Sequence, residues 1–418
     1  MSKLFGKLPI AYFGFVYLSY VLLLFIPGIR TGVIAAGLMV LIAIEAAILL
    51  IKSDRISDFI SILNISVLAY FFYNLISFIW IIKNGYPISV FIEEFSNSIL
   101  PITFYFAAVI TAAIATKEVK INIDKVYKGF LFAFTAFSII CIIMYLWAPQ
   151  FYCDFLYNMS FISKADASTC RVRMEGFSGS TSISYLGVAA MLVASKYMYE
   201  NYGKIKQVAI YAMLFVFSLA VVFLANGRAG MVAAIIVILY LNFLVFFSFK
   251  FLDKKILYIE IALFVLLIVA MCIATPGITS KIWARLVSLP GAVGQRSEQW
   301  ISAINNMHGQ WFGNGLGANG HKAIGIEWAH VVPDGGLIKL YCEEGALGFS
   351  LFVYILILIF RKGLKDLKNC FCEIGIIGTA LLMSIGSNII AFQLCMPIVW
   401  FAAGVVSGKS WEDFGGKG

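Results

Sequence analysis

Charge is what this sequence has least of. Asp, Glu, Lys and Arg make up 13% of its 418 residues, about half the share of an ordinary soluble domain. So few charges cannot cover a surface facing water, which excludes a soluble globular fold. Histidine is scarcer still: His308, His321 and His330 are the three in the chain. The eight cysteines form no metal-ligand spacing. Cys141, Cys272, Cys342 and Cys395 lie in or at the ends of apolar runs, where cysteine acts as a small hydrophobe, and Cys370 and Cys372 have no histidine partners. There is no GxxxxGK[ST] phosphate loop and no obvious internal repeat of the kind transporters carry.

What the chain has instead is hydrophobic length. It is 61% hydrophobic, with a mean hydropathy of +0.93. A bilayer-spanning helix needs about 20 mostly apolar residues. About twelve such runs occur, near 9–28, 33–51, 60–82, 98–115, 129–147, 182–199, 207–225, 229–248, 256–275, 336–360, 372–389 and 391–408. The expected fold is therefore all-α: a polytopic membrane helix bundle forming one domain over 1–418. The first run follows Lys3 and Lys7 and reads as a retained anchor rather than a cleaved leader.

The net charge of +9 does not call for nucleic acid. With both termini cytoplasmic, 20 of the 31 Lys and Arg fall on cytoplasmic segments, so the excess follows the positive-inside rule. The two basic residue types divide unequally. The cytoplasmic side takes 18 Lys and 2 Arg, the outer side 5 Lys and 6 Arg. Lysine suffices to set topology, whereas the planar arginine fork suits phosphate or carboxylate. Arg30, Arg171, Arg173, Arg228, Arg285 and Arg296 therefore suggest an outward-facing anionic ligand.

Two outer loops carry the polar residues. The smaller, 148–181, begins with alternating aromatic and polar residues, which predict a short helix at the headgroups. It ends on Arg171, Arg173 and Glu175 before a Gly/Ser/Thr run that opens a helix. Such an N-terminus can receive an anion, or it can be a plain N-cap beside an Arg–Glu pair. Cys153 and Cys170 share this loop, where a disulfide is open but not fixed by spacing. Arg228 stands in a tight turn between two apolar runs, where an arginine snorkels to the headgroups or binds a ligand.

The larger loop, 276–335, holds all three histidines, three of the eight tryptophans between 300 and 328, and glycines at 313, 315, 317 and 320. Trp300, Ile301, Ile304 and Met307 recur at helical spacing and predict an amphipathic helix starting near Arg296. The alternate glycines predict a backbone that approaches its neighbour closely. Asp334 and His330 stand just before the run at 336. Lys339 and Glu343 are spaced to pair on one helix face. Glu93 and Glu94 read as a solvated helix at the interface.

In order along the chain, these pieces resemble the O-antigen polymerase and O-antigen ligase superfamily. An Arg-x2-Gly-Phe-like start appears at Arg173, Gly176 and Phe177, and an Arg-containing turn at Gly227-Arg228-Ala229-Gly230. Arg-x3-Trp followed by Gly-x-Gly appears as Arg296, Trp300 and Gly313-Asn314-Gly315. The last element runs from Asp334-Gly335-Gly336-Leu337 to Glu344-Gly345 and Gly348. Gly335 departs from the family's Asn, and Asp334 holds the position that is usually His in the ligases. That substitution favours the polymerase.

The resemblance implies a glycosyltransferase of the bacterial inner membrane with its active site facing the periplasm. It would move a growing glycan from undecaprenyl diphosphate onto a hydroxyl of an incoming lipid-linked repeat unit, in lipopolysaccharide biosynthesis. No metal or other cofactor is implied, because arginines can neutralise the leaving diphosphate. Arg228, Arg296 and Arg173 are the expected diphosphate contacts. Asp334 is the candidate base and His330 its rival. The implied partners are lipid-linked donor and acceptor oligosaccharides, membrane lipid and a chain-length regulator. The alternatives are a ligase passing the glycan to lipid A-core and, from another class, a polysaccharide or lipid transporter.

Overall fold

The computed structural model describes residues 7–23, 30–52, 59–113, 117–158, 173–176, 179–244, 289–320 and 332–409, with Ile26, Ala323 and single positions between 258 and 287. His330, Arg171, Arg285, Cys170 and most of the expected span 256–275 lie outside the described residues.

The described chain is helical, with no strand among the described residues. In order, the α-helices are α1 (Lys7–Leu22), α2 (Thr31–Lys52), α3 (Ile62–Ile76), α4 (Phe78–Lys83), α5 (Ile88–Glu94), α6 (Ile102–Ala113), α7 (Lys117–Trp147) and α8 (Pro149–Asn158). They continue as α9 (Ser180–Glu200), α10 (Ile205–Ala225), α11 (Arg228–Phe243), α12 (Leu289–Asn305), α13 (Gly336–Lys365), α14 (Leu367–Ser384) and α15 (Met396–Lys409). A π-helical turn, Phe95–Ile99, follows α5, and a 3-10 turn, Ile389–Ala391, precedes α15.

Among the described residues, seven stretches are helices long and apolar enough to cross a membrane: Thr31–Lys52, Ile62–Lys83, Ile88–Ala112, Ile123–Trp147, Ile205–Ala225, Gly336–Lys365 and Leu367–Ser384. The described residues also include three shorter apolar helices, Lys7–Leu22, Arg228–Phe243 and Met396–Gly408. The faces they leave open are greasy. Helix α2 buries Ala35, Met39, Ile42 and Ala46 but exposes Leu41, Ile44 and Ile48. In water such a face would be a large apolar patch; against lipid it incurs no penalty. The chain is a multi-pass membrane protein.

One expected boundary moves. Between the expected spans 60–82 and 98–115, Glu93 and Glu94 read as a solvated helix at the interface; helix does resume at Ile88, but it belongs to the candidate span Ile88–Ala112, which takes in both carboxylates. Carboxylates are expensive in such a segment unless paired. The partner of Glu94 is described below.

The chain packs as two compact units, one of Met1–Tyr12, Arg30–Val126 and Ala292–Gly418, the other of Phe13–Ile29 and Tyr127–Gly291. In the first, α15 lies against α6 through small residues. A Cβ on Gly404 would fall 2.3 Å from the Tyr105 carbonyl oxygen, and one on Gly408 would fall 2.2 Å from the Ala112 Cβ. Glycines one turn apart let two membrane helices approach to backbone contact. Polar groups bridge the same seam: the Tyr105 hydroxyl donates to Asn64 Oδ1 at 2.6 Å, and Tyr105 and Ser407 share a 3.0 Å hydrogen bond.

The second unit uses the same device. Gly230 of α11 sits against Ser184 of α9, where an added Cβ would come 2.3 Å from the serine Cβ. Gly187 of α9 faces Val222 of α10. Lys196 lies over the Tyr127 ring at 4.9 Å and Lys128 over Tyr197 at 5.0 Å. Cation–π contacts of this kind hold the two lysine charges against aromatic faces.

Candidate functional site

The first unit contains the residues with the most chemistry, and α12 and α13 supply them. Arg296 lies in the middle of α12, while Asp334 stands two residues before α13 begins. The Arg296 Nε and Nη2 both reach Asp334 Oδ2, each at 2.9 Å. One turn further along α12, the Trp300 indole N–H donates to the Asp334 backbone carbonyl at 3.2 Å. The Arg-x3-Trp spacing therefore puts two donors of one helix face on one residue. The Asp334 side chain is 49% exposed and that of Arg296 27%. Both of these guanidinium contacts fall on Oδ2.

The backbone after Asp334 is held from the other side. The Gly335 N–H donates to Asn388 Oδ1 at 3.2 Å, and the Gly336 N–H to the Ser387 carbonyl at 2.9 Å. Gly335 is extended, with φ 179, so what it requires is space. A Cβ there would meet the Trp300 Nε1 at 2.9 Å and the Ile385 carbonyl at 3.0 Å. A side chain at position 335 is thus excluded on steric grounds. Gly386 is similarly confined, since its Cβ would come 2.8 Å from the Arg296 Nη1.

A second, deeper centre forms around Lys339, one turn into α13. This lysine is buried, with its Nζ 2.5 Å from Glu94 Oε1 and 3.7 Å from Glu343 Oε1. The i,i+4 pair expected from spacing is present, but the shorter contact is to Glu94, which the sequence reading assigned to a solvated surface. A charged pair inside a candidate span of membrane-crossing length was the signal that could have found it.

The glycine-rich segment after α12 closes over this centre. Helix α13 is broken at Gly345, where the backbone leaves helical values (φ 67, ψ −173). The break exposes carbonyls and amides that a continuous helix would pair internally. The loop supplies their partners: Asn314 N–H to the Cys342 carbonyl at 2.9 Å, Gly315 N–H to the Glu343 carbonyl at 2.9 Å, and Ala346 N–H to the Gln310 carbonyl at 2.8 Å. The Asn319 N–H donates to the Glu343 carboxylate at 3.0 Å.

Gly313, with φ 70, and Gly345 face each other so closely that a Cβ on either would meet the other's backbone at about 2.5 Å. The alternate glycines are a close-approach backbone, as expected. Glu344, beside the break, accepts from the Tyr70 hydroxyl at 2.6 Å, while its backbone carbonyl accepts from Tyr73 at 2.5 Å. Tyr86, in the turn before α5, is buried; that burial, together with the Glu343 carboxylate, pushes its phenol up and keeps it neutral.

A cleft of about 130 Å³ opens beside Lys339, lined by Glu93, Glu94, Asn97, Lys339, Asn388 and Phe392, with Gly317 and Gly320 along one wall. Asn388 both lines this cleft and holds Gly335, so the cleft and the Arg296–Asp334 pair share a wall. Among the described residues no group of three or more His, Cys, Asp or Glu is placed to hold a metal ion.

In the second unit, Arg173 is ion-paired to Glu175 Oε1, and the Ser180 N–H donates to Glu175 Oε2 at 2.7 Å. The anion at the start of α9 is the chain's own Glu175. Arg228 is the first residue of α11, following Asn226, which adopts φ 50, and Gly227. His330 lies outside the described residues.

No protein-family model matches the chain, and the search of curated proteins returned no match.

Proposed function

We propose that this protein is a membrane glycosyltransferase that uses a polyprenyl-diphosphate-linked glycan as donor, and specifically an O-antigen polymerase extending one lipid-linked chain by one repeat unit. The observation that carries the reading is the Arg296–Asp334 pair, two residues that the family-like motifs single out independently and that meet at 2.9 Å. Transfer breaks the bond between the anomeric carbon and the diphosphate oxygen, and forms a bond from that carbon to the acceptor hydroxyl oxygen. The hydroxyl proton must go to a base, and the departing diphosphate must be neutralised.

Arg296 and Asp334 are suited to those two tasks. A bound diphosphate competes with Asp334 for the guanidinium, whose fork matches phosphate oxygens. The carboxylate, released from its partner, then accepts the hydroxyl proton. Coupling base release to donor binding would keep the site inactive until the donor is present. His330 is the alternative base.

On this reading the chain crosses the bacterial inner membrane about twelve times with both termini cytoplasmic, and segments 148–181 and 276–335 face the periplasm. The 276–335 segment forms part of the active site.

Reconstitution in proteoliposomes tests the reading. Purified protein supplied only with undecaprenyl-diphosphate-linked repeat unit, without nucleotide sugar, should yield lipid-linked dimers and longer chains. Asp334→Asn should cut that rate by roughly 100-fold or more. A ligase would transfer only when lipid A-core is added. No transfer to either acceptor would reject the glycosyltransferase reading.

A further inference from the structure

We propose that Trp311, with Phe312 and Trp80, anchors the glycine-rich loop in the lipid headgroup layer, and so holds the loop at the depth where the diphosphate of a membrane lipid lies. The anchor stands on geometry alone; that the lipid is the glycan donor rests on the transfer reading given above.

Trp80 fixes the depth. It stands in the last turn of the candidate span Ile62–Lys83, the position at which aromatic rings collect along a membrane–water boundary. The Phe312 ring stacks on it, with centroids 5.0 Å apart and planes inclined by 23°. Two further contacts lock the loop to the same level. The Asn84 side-chain amide donates to the Asn314 carbonyl at 3.0 Å, and a Cβ on Gly315 would fall 2.8 Å from the Ile81 Cγ1. The loop is therefore packed on the end of the span rather than held above it.

Trp311 is the residue that this packing presents outward. Its backbone is tied down, since its carbonyl accepts from the Leu347 N–H at 3.1 Å, beside the break at Gly345. Trp311 is nevertheless 66% exposed, and Phe312 43%. Large aromatic rings left open on a pinned backbone mark a contact surface.

The surroundings select lipid as the partner. Ile79 and Ile82 flank Trp80 in the span and are exposed, as the open residues of α2 are. Lys83 and Gln310, at the same end, are exposed polar residues. Greasy and polar side chains thus meet around Trp311 as hydrocarbon and headgroups meet in a bilayer, and an indole, apolar with one N–H, suits both. The loop follows directly from α12, which ends at Asn305. The anchor thereby also sets the depth at which Arg296 meets a headgroup diphosphate.

Tryptophan quenching of the full-length protein in liposomes tests the anchor, with wild type compared to Trp311→Phe, which removes the indole and keeps an aromatic ring. The difference between the two emissions belongs to Trp311. It should be quenched by phosphatidylcholine brominated high on its acyl chains, more weakly by lipid brominated near the chain ends, and little by aqueous iodide. Quenching by iodide and not by brominated lipid would overturn the anchor. So would an iodide-accessible emission that methyl glycosides shift, which would make the rings a platform for sugar.

In proteoliposomes Trp311→Ser should raise KM for the lipid-linked repeat unit roughly 3- to 10-fold with kcat little changed, and Trp311→Tyr should restore it. A lipid-quenched Trp311 whose serine variant keeps the wild-type KM would leave the anchor standing and overturn its tie to the donor. A lipid-quenched Trp311 in a protein that transfers nothing would support the anchor and reject the proposed function.

Discussion

The Lys339 ammonium and the Glu94 carboxylate meet at 2.5 Å, and both residues are buried in candidate membrane-spanning segments. The contact joins a helix from the first quarter of the chain to one near its end. Each charge makes the other tolerable, because an unpaired ion at this depth would be strongly disfavoured.

Breaking that pair should therefore harm the fold more than removing it. Glu94→Gln leaves Lys339 with Glu343 at 3.7 Å as its remaining charged partner, and should cost about 3–5 kcal/mol. The double variant Glu94→Gln/Lys339→Met should recover much of the loss. Thermal unfolding in detergent checks this; equal melting of wild type and Glu94→Gln would contradict it.

The docking of the glycine loop onto the break in α13 gives a sharper contrast. Gly313→Ala must place a Cβ 2.4 Å from the Glu343 carbonyl oxygen at φ 70. The left-handed backbone alone costs roughly 1–2 kcal/mol in a residue with a Cβ, and the clash adds to it. The loop should detach and be cut faster by a protease under limited digestion. Gly294→Ala, inside α12 with nothing within 4 Å of the new methyl, should instead be neutral, or stabilise by up to about 1 kcal/mol. If both variants digest alike, the packing account of the loop is wrong.

Arginine at 296 is expected to resist conservative change. Its Nε and Nη2 both engage Asp334 Oδ2, a geometry that a lysine ammonium cannot reproduce. Arg296→Lys should therefore behave closer to Arg296→Ala than to wild type in chain extension, while both variants retain wild-type yield in the membrane fraction. Near-normal extension by Arg296→Lys would show that only the positive charge matters.

Much of this was legible in the sequence, for identifiable reasons. Apolar runs of membrane length have one helical solution, because lipid cannot satisfy a free backbone. The helical spacing of Trp300, Ile301 and Ile304 corresponds to α12, which starts at Leu289, earlier than the expected start near Arg296, and ends at Asn305, so that Met307 lies beyond it. The alternate glycines from 313 to 317 announced a backbone contact, though not that its partner would be the break at Gly345. Glu94 was misread because periodicity describes one helix at a time. Its partner Lys339 is remote in sequence, and such a pairing is invisible until the helices pack. The same holds for Asn388, whose carboxamide oxygen accepts from the Gly335 amide. At the start of α9, local chemistry left two readings open, a ligand anion or an internal cap, and Glu175 Oε2 at 2.7 Å from the Ser180 amide is the internal one.

The most direct test of the central claim is a lipopolysaccharide gel ladder from cells lacking this gene, complemented with wild type, Arg296→Ala or Asp334→Ala. The account predicts that the null lane and both variant lanes show lipid A-core bearing a single repeat unit, while wild type restores the full ladder. A null lane without any attached repeat, with glycan accumulating on undecaprenyl diphosphate, would identify the ligase instead. An unchanged ladder in the null lane would contradict the account outright.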